Sequence, residues 1–213
     1  MSDHDRSRIS RVIILSGMIG LAGSPVGCVG PVIDRPVDVT EPGGEATLAH
    51  GYALLLDLLA DEAKVDGILA IKSPRPGVAE LLRRIASEAT SGEAFLRSHL
   101  NDSPAVDPGS TGLPLLEHDA RRRIEKDETP GLLLAGGRRF ETRMLLTQQK
   151  AAQYAGALCA GLSAADPNRM RAAELRSMSD RWNAIERETR AWLTVVETPP
   201  ATTGATPDPV PTP

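Results

Sequence analysis

Leu175, Met178, Trp182, Ile185, Thr189, Trp192 and Val196 recur at alternating intervals of three and four residues, the seam of a helix packed against near-antiparallel partners. Asp166 as N-cap and Pro167 at the first helical position predict where that helix begins. The stretch before it, 138–164, repeats the device with Phe140, Met144, Gln148, Ala151, Ala155, Leu158 and Leu162. Its second half is small in side chain. Ala152, Gly156 and Ala160 fall four apart, so a partner backbone can approach closely and the indoles of Trp182 and Trp192 can lie over that surface. Gln148 takes a seam position, where a buried amide has to be hydrogen-bonded and can fix helix register.

The first half of the chain carries a second pair of helices. Leu48, Tyr52, Leu55 and Leu59 make one stripe, and Leu54, Leu58, Val65, Ile68 and Leu69 widen it, predicting a helix over 45–72 that packs on two sides. Ser73-Pro74-Arg75-Pro76 breaks it. A helix over 76–100 follows, with Val78, Leu82, Ile85, Ala89 and Leu96 inward and Gly92 weakening the middle. Turn residues fill 101–114, and 115–128 predicts a short amphipathic helix that stops before Pro130-Gly131. The run Leu132-Leu133-Leu134 reads as a buried connection, because one apolar run cannot build a sheet. Two long hairpins joined in this way predict an all-α fold: an up-down four-helix bundle with a long crossover containing a short helix.

The two ends have a different character. Arg6, Arg8 and Arg11 precede an apolar stretch over 12–22, the n-region and h-region of a signal peptide spanning 1–27. A spanning helix needs about 20 predominantly apolar residues, and this run dissolves at Gly23-Ser24-Pro25. Next comes Pro25-Val26-Gly27-Cys28, which resembles the lipobox of bacterial lipoproteins, where a small residue precedes a cysteine that is acylated and becomes the mature N-terminus. That resemblance implies lipidation at Cys28. Pro25 stands where the motif usually holds Leu, which leaves open ordinary cleavage nearer Ala22, or an uncleaved N-terminal helix. Residues 28–44 contain Pro31, Pro36, Pro42, Gly43 and Gly44 without periodicity and read as a flexible tether. The Pro/Thr-rich segment 198–213 has the composition of a disordered tail. The folded part is then a helical domain over 45–197, one domain by size.

A formal charge of −4 with 24 Lys and Arg spread along the 213 residues gives no basic footprint, which excludes nucleic acid as the expected partner. Two cysteines allow at most one bridge, and a lipid on Cys28 leaves none; Cys159, among Ala155, Leu158, Ala160 and Leu162, reads as a small buried apolar residue. Helix order and length over about 45–196 resemble the ferritin-like helical domains of exported bacterial proteins. Ferritin-like di-iron sites use inward Glu residues and Glu-x-x-His motifs; no Glu-x-x-His occurs in this chain, so no ligand set carries over.

Three readings of function follow. The first is an exported envelope protein, periplasmic or extracytoplasmic and held to a membrane by lipid on Cys28. Its helical domain binds another envelope component or self-associates, and it calls for no cofactor. The second is a metal-binding bundle. His50, Asp57 and Asp61 share one helix face at spacings of seven and four, with His99 as a further candidate and Lys64 as a competing ion-pair partner for Asp61. The third is a carrier of a small apolar ligand, beside the Ala/Gly-rich face around Gly156. His99 also fits a buried, hydrogen-bonded histidine. The pair Glu117-His118 before Arg121-Arg122-Arg123 fits a solvated charged helix. No Gly-x-Ser-x-Gly elbow, phosphate-cradling loop, Cys-x-x-Cys pair or His-Glu-x-x-His helix is present, so no catalytic residues are assigned.

Overall fold

A computed structural model of the chain describes residues 43–197. The leader, Cys28, most of the tether and the tail lie outside the described residues. Within them the chain is all-helical: α1 (Gly44–Glu62), a 3-10 segment (Val65–Ala70), α2 (Pro76–Ser98), α3 (Leu115–Leu134), α4 (Gly137–Ala165) and α5 (Arg169–Glu197). No described helix is long and apolar enough to cross a membrane.

Neighbouring contacts fix how the helices run. α1 lies on α2 and α4, α5 lies on α4, and α2 also touches α5. Along the α2/α5 contact Gly77 meets Trp192, Glu88 meets Arg181 and Gly92 meets Met178, so numbers rise on one helix as they fall on the other. α4 and α5 are antiparallel as well. Ser163 donates to the Ala172 carbonyl at 2.8 Å, Ser179 to the Gly156 carbonyl at 2.9 Å and Gln149 to Glu186 at 3.2 Å. α1 opposes α2, with Leu59 against Gly92, and opposes α4, with Gly51 against Leu162. Hence α2 and α4 point the same way, and the chain between them must travel back along the molecule. α3 covers that return, about 30 Å for its 20 residues.

The core is the expected set of seams. Leu55, Leu58, Leu59, Ile85, Met144, Leu175, Met178 and Trp182 are fully buried, as is Cys159. Thr189, a hydroxyl in the α5 seam, is satisfied by donating to the Ile185 carbonyl one turn back at 2.7 Å.

Four details correct the sequence reading. The helix expected over 45–72 ends at Glu62, and the chain tightens into the 3-10 segment. At three residues per turn, Val65 and Ile68 stack on the inward face while Asp66 and Gly67 stay exposed. α3 does not stop before Pro130 but runs through it to Leu134. Burial of Thr129 and Leu132 anchors the last turns against the hydrogen bond that proline removes. Asp166 does not cap α5. Asn168 does, its Oδ1 accepting from the backbone N–H groups of Met170 at 3.1 Å and Arg171 at 3.2 Å. Finally, the small face of α4 does not receive the two indoles as a unit. Asn183 and Ser179 close over Gly156, Ala160 is exposed, and Trp192 seats on Gly77 of α2 beneath the Arg75 guanidinium, 5.5 Å from its ring centre.

The seat of Trp192 is testable. A Cβ on Gly77 would fall inside the rigid indole, whereas one on Gly92 would press on the flexible end of Met178 at 2.7 Å and on Leu59 at 2.9 Å. Gly77→Ala is expected to cost about 1–3 kcal/mol in urea unfolding, as overpacking does. Gly92→Ala is expected to stay within about 1 kcal/mol of the natural chain, because alanine's helix propensity offsets the squeeze. Equal losses would mean that Trp192 does not sit there.

Candidate functional site

The most polar buried constellation sits where the α4–α5 turn meets the start of α1. Asp166, its side chain fully buried, accepts from the Tyr52 hydroxyl and from Arg171 Nε through Oδ2. Through Oδ1 it accepts from Arg171 Nη2 at 2.8 Å and the Asn168 N–H at 2.8 Å. Arg171 Nη2 also donates to the Ser103 carbonyl at 2.8 Å, Asp102 lies 3.8 Å from Nη1, and the guanidinium stacks over the Tyr52 ring at 5.3 Å. Charge-assisted bonds of this kind hold the carboxylate in place of water. Burial alone would raise the Asp166 pKa, but the donors from Arg171, Tyr52 and Asn168 outweigh it and hold the carboxyl below its ordinary range. Burial, followed by the bond to Asp166, pushes the Tyr52 phenol well above its ordinary value, and the bond to Asp166 raises that of Arg171. Neither Tyr52 nor Asp166 is left as a base or nucleophile.

The loop 99–114 closes this end. His99 caps α2, its Nδ1 2.8 Å from the Phe95 carbonyl, which makes Nδ1 the protonated nitrogen, and its ring packs on Phe95 at 4.7 Å. This matches a hydrogen-bonded histidine at a helix end. Between Tyr52, Leu56, Leu96, His99 and Arg171 remains a cavity of about 10 Å³, the size of a single water. Beyond Pro104 an open groove of about 440 Å³ is lined by Glu45, His50, Ala105, Asp107 and Ser110. Both carboxylates already serve the loop: Glu45 accepts from Ser103 Oγ at 3.2 Å and Asp107 from the Gly109 N–H at 3.0 Å. Gly112, at φ +68°, lies flat on the His50 imidazole; any Cβ there would sit 2.5 Å from Nδ1.

The candidate metal ligands are not brought together. His50 and Asp57 lie seven residues apart on one helix, roughly 10 Å along its axis. Asp61 lies 3.4 Å from Lys64, the ion pair expected from the sequence. Among the described residues no group of three or more His, Cys, Asp or Glu could hold a metal ion. The face expected to border a carrier cavity is covered by Asn183 and Ser179. Cys159 is buried and its thiol is pushed up to about 12 by desolvation, so it is inert at neutral pH.

The periodicity singled out none of the buried glutamates Glu62, Glu141 and Glu186. Glu62 continues the stripe Leu48, Tyr52, Leu55, Leu59 by three residues, and that spacing could have revealed it. It is 2 % exposed, with Gln148 near it on α4. Glu62 Oε2, both amide atoms of Gln148 and the Trp182 Nε1 are buried without a hydrogen-bond partner. Gln148 thus occupies the buried seam position expected of it and faces the Glu62 carboxyl without a well-formed hydrogen bond. Burial drives the Glu62 pKa up to about 8, opposed by the Gln148 amide and reinforced by the Asp61 carboxylate.

A raised carboxyl pKa makes the folded chain bind a proton that the unfolded chain releases. Glu62 therefore costs stability progressively as pH rises from the unfolded value of 4.5 to the folded value of about 8. At pH 7 that cost is about 3 kcal/mol. Glu62→Gln is expected to gain stability over the natural chain by a margin that is flat below pH 4.5, grows to pH 8 and then levels. Urea titrations across pH 4–9 measure it, and a margin independent of pH would place Glu62 in contact with water.

The chain matches no family model, no curated protein and no solved structure, so its function is read from its own residues and their geometry.

Proposed function

We propose that the chain is an exported envelope protein, attached to a membrane through lipid on Cys28, whose helical domain serves binding or structural interaction. α1, α2, α4 and α5 make a four-helix bundle of the crossover kind, with α3 in the crossover. The observation that carries the interaction reading is the state of the buried charges. Asp166, Arg171 and Tyr52, all three buried in the described core, satisfy one another and the backbone of the covering loop. Such a cluster holds segments together and itself offers no poised acid, base or nucleophile; the acid whose pKa is raised, Glu62, is 2 % exposed and lines neither the cavity nor the groove described above.

The anchoring half of the reading rests on the order of features at the N-terminus. Three arginines, an apolar run of signal-peptide length and a Gly-Cys pair come first, and a Pro/Gly-rich stretch then separates Cys28 from the first residue of α1. One acyl chain binds a bilayer only marginally, so stable attachment takes the multiple chains that a lipoprotein cysteine carries.

Intact-mass measurement of the mature protein from its native membrane fraction tests this. The expected species begins at Cys28 and carries a diacylglycerol, and Cys28→Ser is expected to release the protein from the membrane. A mature chain beginning elsewhere, without added lipid mass, would overturn the anchor.

A further inference from the structure

α3 is the least supported helix in the fold. Its contacts with the rest of the chain are few and fall mainly on α4, and its buried side chains, Thr129 and Leu132, sit in its last two turns. An isolated helix of this length is marginal in water, and Pro130 weakens this one further. Yet its outer face is patterned. Leu116, Ala120, Arg123, Asp127, Pro130 and Leu134 follow each other at spacings of 4-3-4-3-4 and so form one stripe along the helix, apolar towards both ends and charged in the middle. All six are exposed, Leu116 at 84 % and Leu134 at 85 %. No ion pair among the described residues engages Arg123 or Asp127, whereas Arg121 and Arg122 on neighbouring faces are paired to Glu117 at 3.2 Å and Asp119 at 2.8 Å.

The stripe reads the same in both directions. Reversed about position 125, Leu116 falls on Leu134, Ala120 on Pro130 and Arg123 on Asp127. We infer that this face of α3 docks against the same face of a second copy of this chain, antiparallel about a two-fold axis at position 125. In that arrangement Leu116 meets the partner subunit's Leu134 and Arg123 meets the partner subunit's Asp127, each contact made twice. That is the self-complementarity an isologous interface requires. The register is specific. A parallel pairing sets Arg123 against Arg123 and Asp127 against Asp127, like charges that disfavour it. A single helix pair of roughly 27 Å makes a small interface beside the extensive ones of obligate dimers, so association is expected to depend on concentration and salt. The inference deepens the reading of an interaction protein and is independent of the lipid anchor.

Cysteine cross-linking tests the register. In the full chain with Cys28→Ser, where Cys159 is buried, Leu116→Cys and Leu134→Cys are introduced together and separately and treated with a short bismaleimide. The two sites lie roughly 27 Å apart on one helix, so a short linker cannot join them within a chain. The chain carrying both is expected to give covalent dimers and either single variant none. Adding Arg123→Asp to the double-cysteine chain is expected to cut the cross-linking roughly tenfold, and adding Asp127→Arg as well to restore it by exchanging the charges. No covalent dimer from the double-cysteine chain would overturn the inference and assign the face to another partner. Equal yield from either single variant, or failure of the charge exchange to rescue, would overturn it too. None of these results touches the intact-mass test of the anchor.

Discussion

The buried pairing of Asp166 with Arg171 is the constraint on which one whole end of the molecule depends. Three segments distant in sequence meet on it: α1 through the Tyr52 hydroxyl, the α4–α5 turn through Asp166 itself, and the loop after α2 through the Ser103 carbonyl. Taking both charges out of water is costly and is offset only when every donor and acceptor finds a partner. Here Asp166 receives the guanidinium, the phenol and a backbone N–H, which leaves it little capacity for anything else. The same saturation that makes the cluster a good clasp makes it unsuited to chemistry.

A second arginine clasps the opposite end. Arg75 donates from its backbone N–H at 2.6 Å and from Nε at 2.8 Å to the two oxygens of Glu141 at the start of α4, and covers Trp192 of α5. Lys72 reaches the Ala135 carbonyl nearby at 2.8 Å. Between the clasps the helices meet through aliphatic seams and the close α4/α5 approach at Gly156. Two departures from that economy stand out. Glu62 with Gln148 places unpaired polar atoms in the apolar middle, and α3 spans the length of the molecule while touching little of it. The first is a cost in stability at neutral pH; the second leaves a patterned face free for a partner.

Much of the fold was legible in the chain. The spacing of Leu175, Met178, Trp182, Ile185 and Thr189 set the buried face of α5, and all five are buried. Phe140, Met144, Gln148, Ala151 and Ala155 did the same for α4. What periodicity could not supply was anything decided by tertiary partners. Asp166 before Pro167 has every local mark of a cap, and only the arrival of Tyr52 from 114 residues away turns it inward and passes the cap to Asn168. Pro130 looks like a stop because its cost is local, while the burial of Leu132 that offsets it is not. Of the candidate ligands, His50, Asp57 and Asp61 share a face as expected, but sharing a face over about three turns does not make a site. Charge at a seam position was the overlooked signal: Glu62 lies on the α1 stripe by simple spacing.

A helical domain that works through its surfaces, as proposed, needs ends that stay closed without a ligand, and the Asp166–Arg171 clasp supplies that at the end where α1 begins. Hydrogen–deuterium exchange on the full chain carrying Arg171→Met measures this dependence segment by segment. Protection is expected to fall in three places at once, residues 44–52, 99–106 and 163–171, and to change far less at the centre of the α4–α5 hairpin. Unchanged exchange in those three segments, or an equal loss along every helix, would contradict it.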